Sequence, residues 1–202
     1  MLEIPIQQSK TKFHQHRIRQ YLQLLRSKPQ FCYTFTMKDL IILSGAPGSG
    51  KSTIAELLQK ELQCPYIDFG WLREFHLKPD WSDASEKEEG IAFDNLVYIL
   101  RNYIKNGYKN ILVSDLTDER VQMCPELFSK DNFVILSLVV DSDKELKNRI
   151  TIRNSGFVNT EKALAWNQKL KERKLLKNEY KIDNTENDPR ATFQKVLKII
   201  QS

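Results

Sequence analysis

The stretch that decides the fold runs from four apolar residues into a glycine-rich turn: Leu40-Ile41-Ile42-Leu43-Ser44-Gly45-Ala46-Pro47-Gly48-Ser49-Gly50-Lys51-Ser52-Thr53. The apolar run predicts a strand that is buried on both faces, which is typical of the centre of a parallel sheet. After the turn, apolar residues recur at helical spacing and predict an amphipathic helix: Ile54, Ala55, Leu57, Leu58 and Leu62. A strand, a glycine-rich turn and a helix in this order predict an α/β protein.

The turn itself has the spacing of a phosphate-binding P-loop. Gly45 and Gly50 are separated by four residues and are followed directly by Lys51 and Ser52. Glycines let successive main-chain amides point at one anion, and the start of the helix adds its positive end. Lys51 can reach the β- and γ-phosphates, and the Ser52 hydroxyl can ligate Mg²⁺. We therefore expect nucleotide binding by Gly45, Ala46, Pro47, Gly48, Ser49, Gly50, Lys51, Ser52 and Thr53.

Strand and helix patterns alternate through the rest of the chain, which predicts a parallel sheet covered on both faces. We expect a three-layer α/β/α fold with five parallel strands, at residues 40–43, 65–67, 111–113, 133–140 and 180–183. A polar helix is expected over about residues 160–178. Helix starts are predicted by two capping boxes and by a capping residue followed by proline: Asp83 with Glu86, Ser142 with Glu145, and Asp188-Pro189.

The net charge of +5 is concentrated at one end of the chain. Residues 1–37 contain six basic residues against Glu3 alone, so residues 38–202 sum to zero. Helical spacing of Ile18, Tyr21, Leu22 and Leu25 predicts a basic amphipathic helix in the leading segment, either docked on the protein or contacting a membrane surface, a nucleic acid or a partner. A neutral body makes a nucleic-acid partner possible but less expected.

The remaining composition indicates an ordinary globular protein. No apolar run is long enough to span a membrane, and no secretory signal pattern is present. The three cysteines, Cys32, Cys64 and Cys124, are scattered and form no Cys-x-x-Cys pair. This usage is typical of reduced thiols, so a cytoplasmic protein is expected.

Residues 38–202 resemble the small P-loop kinases related to shikimate, gluconate and nucleoside-monophosphate kinases, a group that includes chloramphenicol-phosphotransferase-like and zeta-toxin-like kinases. The resemblance is carried, in chain order, by Ile41–Thr53, Asp68, Gly107–Asp115, Asp143–Arg153 and Ile182–Thr185. It implies a short lid, ATP with Mg²⁺, and transfer of the γ-phosphoryl group to a small acceptor. Residues 38–202 would form the kinase domain, and residues 1–37 a basic N-terminal helical extension.

Arg149 and Arg153 match the lid-region arginines of these kinases. Four residues apart on a helix, they share one face and can converge on a phosphate, where arginine stabilises charge on the transferring oxygens. Residues 154–158 would then form the lid tip. The segment Ile182–Thr185 matches the loop that passes the adenine base in the family, although a simple turn is an equally good interpretation.

Two aspartates follow predicted strands and are expected at the ligand-binding edge of the sheet. We expect Asp68 to position the acceptor and act as general base, and Asp115 to contact the metal, although the two roles can be exchanged. With Lys51, Arg149 and Arg153, Asp68 completes the predicted catalytic set, while Ser52 and Asp115 form the predicted metal set. Gly70 stands where some relatives have a second, catalytic aspartate, which weakens the assignment of Asp68.

The acceptor side has further candidates with plain structural alternatives. Arg73, Asp118 and Arg120 either contact the acceptor or serve as caps and surface groups. Trp71, Phe75, His76 and Trp81 can form an aromatic wall for a flat ring, but we expect them to be core residues.

The sequence therefore predicts an ATP-dependent phosphotransferase that moves the γ-phosphoryl group to a hydroxyl or phosphate of a small molecule. One alternative is a nucleic-acid-end kinase that uses the basic N-terminal segment. The other is a nucleotide-binding switch with little transfer activity, an interpretation favoured by Gly70. A GTPase is not expected, because the chain has no Asn-Lys-x-Asp signature and no Asp-x-x-Gly switch.

Overall fold

The computed structural model describes residues 37–75, 85–152, 159–186 and 188–202. Apart from Met37, the predicted N-terminal extension lies outside these residues, and the division of the chain at residue 37 stays a prediction. Predictions for His76, Trp81, Arg153 and the lid tip at residues 154–158 also fall outside the described part of the chain. Asp83 lies outside it too, but its predicted role as a helix cap can be compared with the described start of that helix.

Five parallel strands form the sheet, in the spatial order β2-β3-β1-β4-β5. Their bounds are β1 Leu40–Gly45, β2 Tyr66–Asp68, β3 Ile111–Ser114, β4 Phe133–Val139 and β5 Glu179–Asp183. β1 is central, because its Ile42 lies opposite Val113 of β3 on one side and Ile135 of β4 on the other. β2 and β3 lie on one side of β1, and β4 and β5, which come later in the chain, lie on its other side. The switch point, where open α/β sheets bind ligands, therefore lies at the carboxyl end of β1.

Helices cover both faces of the sheet and confirm the predicted three-layer architecture. Within the described residues they are α1 Lys51–Leu62, α2 Phe69–Arg73, α3 Glu86–Lys105, α4 Asp118–Leu127, α5 Asp143–Ile152, α6 Thr160–Glu172 and α7 Pro189–Gln201. Successive residues of β1 face opposite layers, as the pleat requires. Leu40 and Ile42 belong to the cluster that includes Phe93 and Leu96 of α3, whereas Ile41 and Leu43 belong to the cluster that includes Ile54 of α1 and Val196 of α7.

Helix ends differ from the prediction at one position and agree at two others. The long helix α3 is started by a capping box of Ser85 and Glu88, not of Asp83 and Glu86: the Ser85 hydroxyl accepts from the Glu88 amide at 3.2 Å. Glu86 is the first helical residue, two positions before the one from which a side chain reaches back to the cap. Ser142 accepts from the Glu145 amide as predicted, and Asp188 caps α7 with Pro189 at its first turn.

The polar helix α6 ends at Glu172, six residues before its predicted end, because the next residue is recruited by a buried ion cluster. Arg173 donates to Asp118 at 2.9 Å and to both carboxylate oxygens of Glu179, at 2.6 and 2.7 Å. The side chain of Glu179 is fully buried and that of Asp118 nearly so. This cluster ties α4 to the segment that leads into β5.

Candidate active site

The carboxyl edge of the sheet holds the P-loop, Asp68 and Asp115. β1 ends at Gly45, β2 ends at Asp68, and Asp115 directly follows β3. The turn after β1 enters α1 through Gly50, whose φ of 97° is left-handed. Among the described residues, no side chain caps the first turn of α1. The amides of that turn and the positive end of the helix are therefore available to an anion, which is the role that the P-loop spacing predicts for them.

Two glycines of the loop are required by close packing. A Cβ atom on Gly45 would lie 2.6 Å from the carbonyl oxygen of Leu138, and one on Gly50 would lie 2.5 Å from the side-chain amide nitrogen of Asn184. Both residues also have positive φ, 146° and 97°, which disfavours a larger residue. The loop is thus held closely between β4 and the segment after β5.

Lys51 folds back over the loop that precedes it. Its ammonium group donates to the carbonyl of Gly45 at 2.8 Å and to that of Ala46 at 3.1 Å. Ser52 and Thr53 are exposed on the first turn of α1, where their hydroxyls are accessible. The cation and the metal-binding hydroxyl proposed from the sequence are therefore adjacent at the loop.

Asp68 is fixed by hydrogen bonds at the end of β2. One carboxylate oxygen accepts from the amide of Gly70 at 2.9 Å, so Asp68 caps the short helix α2. The other oxygen accepts from the hydroxyl of Tyr66 at 3.2 Å and lies 3.5 Å from that of Ser114. Gly70 is the position at which some of the resembling kinases have a second aspartate. In this chain its main-chain amide orients the Asp68 carboxylate.

Asp115 stands in a charged environment and in an unusual backbone conformation. Its φ is 65°, in the left-handed region that aspartate enters more readily than most residues. Although the residue is exposed, desolvation by the surrounding protein raises the pKa of its carboxyl, and the negative charge of Asp68 raises it further. Lys51 and Arg73 act in the opposite direction. Asp115 is therefore within electrostatic range of the P-loop lysine and of the other predicted acid.

Arg149 is held rigidly beside the segment that follows β5. Its Nε donates to Glu145 at 2.7 Å, and one terminal nitrogen, Nη2, donates to the carbonyl of Thr185 at 2.7 Å. The side chain is 10% exposed, and the other terminal nitrogen, Nη1, is buried without a partner among the described residues. An unsatisfied buried guanidinium donor is a feature expected where an anionic ligand binds.

The segment after β5, for which the sequence left an adenine loop and a simple turn as alternatives, is a junction between distant parts of the chain. Asn184 is buried, donates to the carbonyl of Ser49 at 2.8 Å and accepts from the hydroxyl of Thr192 at 2.6 Å. Thr185 accepts from the amide of Asp141 at 2.7 Å. These bonds connect the P-loop, α7 and the turn before α5. The sequence Ile182-Asp183-Asn184-Thr185 was the available signal.

The acceptor side differs from expectation at three residues. Trp71 is 54% exposed and Phe75 80% exposed, so the prediction that they are core residues is wrong. Both follow β2, where the sheet edge leaves them in solvent; the Trp71 ring contacts Tyr66 edge-on at 5.7 Å. Asp118 is not available to an acceptor, because it is buried in the ion cluster with Arg173.

The two candidate arginines on this side are both engaged. Arg73 pairs with Glu89 at 2.6 Å. The guanidinium carbon of Arg120 lies 4.7 Å from the ring centroid of Phe93.

The arrangement fits a magnesium-nucleotide. The uncapped start of α1, the closely held glycines and the unsatisfied Arg149 donor are complementary to phosphate oxygens, while Ser52 and Asp115 offer the oxygen ligands that Mg²⁺ prefers. No group of three or more metal-ligating side chains occurs within the described residues.

Comparison with known proteins gives the family. The sequence profile of the AAA-domain family matches residues 41–163, more than half of the chain. This chain belongs to the AAA-domain family.

Relatives of this AAA-domain protein are named as small-molecule kinases. An adenylate kinase of Helicobacter pylori is 31% identical over 140 residues, which cover 62% of this chain and 73% of that protein. A shikimate kinase of Clostridium botulinum is 30% identical over 124 residues, which cover 60% of this chain and 59% of the relative. For a Pyrococcus furiosus relative named as an adenylate kinase, the match covers only 38% of its length.

Solved structures of kinases share the fold of this AAA-domain protein. The shikimate kinase of Bacteroides thetaiotaomicron has a TM-score of 0.59 at 16% identity, over 83% of this chain and all of that chain. A gluconokinase of Sinorhizobium meliloti has a TM-score of 0.59 at 15% identity, over 79% of this chain and 90% of that chain. The predicted relationship to the small P-loop kinases and the predicted fold are confirmed. None of the described helices has the length and apolar character needed to cross a membrane.

Proposed function

We propose that this chain is an ATP-dependent kinase that transfers the γ-phosphoryl group to a hydroxyl or phosphate of a small molecule. The observation that carries the proposal is the P-loop before the uncapped start of α1, at the same sheet edge as Asp68 and Asp115. A loop for phosphates and acids for the acceptor and metal are the two requirements of phosphoryl transfer. Relatives named as adenylate and shikimate kinases support the same reaction class.

On the nucleotide side, residues Gly45–Thr53 would bind the phosphates of ATP. Bound MgATP supplies the phosphoryl group that is transferred. Lys51 would exchange its carbonyl partners at Gly45 and Ala46 for phosphate oxygens. The free Nη1 donor of Arg149 is suited to an oxygen of the same ligand, and we propose that Arg153, outside the described residues, assists it.

On the metal and acceptor side, Ser52 and Asp115 would hold Mg²⁺, directly or through water. A cation there would favour the ionised form of Asp115, against the burial and the Asp68 charge that raise its pKa. Asp68 would orient the acceptor and take its proton, because Gly70, Tyr66 and Ser114 fix its carboxylate.

We also propose a cytoplasmic location, which the state of two cysteines supports. Cys64 and Cys124 are buried free thiols, and burial raises the pKa of both to about 12, which keeps them protonated and unreactive.

The test combines MgATP binding by calorimetry with phosphoryl transfer to a panel of nucleosides, nucleotides, sugar acids, shikimate, aminoglycosides and oligonucleotides. Lys51→Ala is expected to abolish both while leaving the fold intact, and Lys60→Ala, an exposed position on the same helix, is the matched control. Retained turnover in Lys51→Ala would reject the mechanism.

The same panel separates the alternatives. Salt-sensitive transfer to oligonucleotides, and to nothing else, would favour the nucleic-acid-end kinase. MgATP binding without any transfer would favour the nucleotide-binding switch.

A further inference from the structure

We infer that the acceptor of this chain carries a flat aromatic ring, which stacks on the exposed indole of Trp71 while the reacting hydroxyl or phosphate of the same molecule faces Asp68. The inference deepens the proposed function and rests on it, because Asp68 is the group proposed to position the acceptor. It assigns Trp71 as the residue that determines which class of small molecule binds.

The first observation is the position of Trp71 relative to Asp68. Asp68 is the N-cap of α2, and Trp71 is the third residue of that helix. In a capping box, a side chain at this third position reaches back to the cap residue, so the two positions face the same side of the helix end. Both residues lie at the carboxyl end of β2, on the edge of the sheet where ligands bind.

The second observation is a chain of contacts that joins the indole to the carboxylate. The rings of Trp71 and Tyr66 meet edge-on, with their centroids 5.7 Å apart. The Tyr66 hydroxyl donates to Asp68 at 3.2 Å and lies 2.8 Å from the hydroxyl of Ser114. Burial raises the pKa of Tyr66 to about 12, so its hydroxyl stays protonated and remains a donor at neutral pH. A single residue thus separates the indole from the proposed base.

The third observation is the exposure of the aromatic side chains that follow β2. Phe69 and Leu72, three residues apart, pack against the core and hold α2 on the protein. Trp71 is 54% exposed, and Phe75, four residues later, is 80% exposed. Large apolar side chains that share an exposed surface mark a binding site more often than isolated ones do.

An exposed indole is suited to one kind of ligand group. Its faces are large, rigid and electron-rich, and an aromatic ring stacked on them gains attraction beyond that of the apolar area it buries. Sugar acids, shikimate and aminoglycosides have no aromatic ring and cannot make this contact. Nucleosides, nucleotides and aryl alcohols can make it.

The first test measures the binding of two probes with the nucleotide site saturated by a non-hydrolysable MgATP analogue. The probes, 2-phenylethanol and 2-cyclohexylethanol, share their hydroxyl chain and the size of their ring, but only the first ring is flat and aromatic. A surface that is merely apolar binds the saturated ring at least as tightly, because that ring buries as much apolar area. NMR titration of the wild-type chain is expected to give a Kd about three- to tenfold lower for 2-phenylethanol.

Three results for the wild-type chain would overturn the inference. They are equal affinities for the two probes, tighter binding of 2-cyclohexylethanol, and no binding of either probe in the presence of bound analogue.

Variants of Trp71 assign the preference to its ring. Trp71→Leu keeps an apolar side chain but removes the aromatic face, and it is expected to bind the two probes equally. Trp71→Phe keeps a smaller aromatic face and is expected to retain part of the preference for 2-phenylethanol. Tyr98→Leu removes an exposed ring from α3 and is expected to behave as the wild type. A preference that survives in Trp71→Leu, or that Tyr98→Leu also abolishes, would overturn the inference.

The second test is phosphoryl transfer to the acceptor panel. Transfer is expected only to members that contain an aromatic ring, such as nucleosides and nucleotides. Trp71→Leu is expected to raise the apparent KM for such an acceptor about tenfold with little change in kcat, as for a group that binds substrate and transition state equally. Transfer to a sugar acid, to shikimate or to an aminoglycoside would overturn the inference.

Binding of the MgATP analogue is recorded in every sample. Failure of the analogue to bind the wild-type chain would reject the proposed kinase function. Normal analogue binding without a preference for the flat ring would leave the kinase standing and reject only the acceptor class.

Sedimentation velocity tests the other occupant of an exposed aromatic surface, a second copy of the chain. A wild-type dimer that Trp71→Leu dissociates would overturn the inference, because the indole would then belong to an interface. Unfolding curves for all three variants exclude a loss of structure.

Discussion

The side-chain amide of Asn184 donates a 2.8 Å hydrogen bond to the main-chain carbonyl of Ser49, and so fastens the segment after β5 to the P-loop. The same side chain accepts from Thr192 of α7 at 2.6 Å. Its nitrogen occupies the place that a Cβ atom on Gly50 would need. The shape of the phosphate loop therefore depends on a residue 135 positions away.

Replacing Asn184 by alanine is expected to weaken MgATP binding about tenfold and to destabilise the fold by about 1–3 kcal/mol, because two buried polar groups lose their partner. Calorimetry and denaturant unfolding measure the two effects. Thr192→Val is the matched control: it removes the bond to α7 but keeps that to Ser49, so it should lower stability and spare nucleotide affinity. Equal losses of affinity in the two variants would mean that Asn184 acts only on stability.

Asp115→Asn is expected to stabilise the fold at neutral pH and to lower the Mg²⁺-dependent transfer rate at least about tenfold. Burial and Asp68 raise the pKa of this carboxyl, so its ionised form is disfavoured in the folded state, and asparagine also accepts a left-handed φ.

The pH dependence of that stabilisation follows from the direction in which the pKa of Asp115 is shifted. The ionisation penalty develops as pH rises from the unfolded pKa, near 3.8, through the higher folded pKa, and it is absent below both. Melting temperatures of wild type and variant should therefore converge in acid. The comparison variant for these melting temperatures is Asp68→Asn, whose side-chain oxygen can still cap α2. A gain in stability that persists at low pH would contradict the electrostatic explanation.

Arg153→Ala is expected to lower the maximal rate by about ten- to a hundredfold with little change in the apparent affinity for ATP, as for a group engaged mainly in the transition state. Steady-state kinetics with ATP varied separates the two parameters. Lys147→Ala, an exposed position on α5, controls for loss of positive charge. A pure loss of ATP affinity would make Arg153 a binding residue.

Glu179→Gln is expected to cost about 3–5 kcal/mol of unfolding free energy, since it leaves part of the charge of Arg173 without compensation in a buried site. Glu119→Gln, in an exposed pair with Lys169, should have a much smaller effect, because solvent screens such a pair. Guanidinium chloride unfolding at neutral pH compares them. Similar small losses in both variants would show that the buried cluster contributes little.

The loss of stability at acid pH should depend on the protonation of Glu179. Burial alone would raise its pKa, but hydrogen bonds from Arg173, the Leu176 amide and Ser137 outweigh burial and lower it below 4.5. Its contribution to stability is therefore present above the unfolded pKa and is lost as pH falls through the folded pKa. The difference between wild type and Glu179→Gln should shrink over that range.

Most of the fold was predictable because its signals are local. The apolar run before Gly45 and the spacing to Lys51 lie within a dozen residues, and they define the central strand, the phosphate loop and the first helix. The carboxyl ends of parallel strands share one edge, so the positions of Asp68 and Asp115 followed from the strands alone.

The rest depends on contacts between distant segments. Asn184 meets Ser49, and Arg173 joins Asp118 to Glu179, only after the sheet has formed. Trp71 is exposed because β2 lies at the edge of the sheet, and hydropathy carries no information on strand order. The cap of α3 was misassigned by two residues because both Asp83 and Ser85 precede a glutamate at the required spacing.

The bonds from Lys51 to the carbonyls of Gly45 and Ala46 bear on how the protein distinguishes phosphate compounds in a cell. A ligand can accept a hydrogen bond from the Lys51 ammonium group only by displacing these two carbonyl acceptors of the loop. Orthophosphate, which offers few oxygens, has little with which to offset that displacement. Under the proposed function, a chain of three phosphates would also engage the amides at the start of α1, so we expect background phosphate to leave the protein available for a nucleotide.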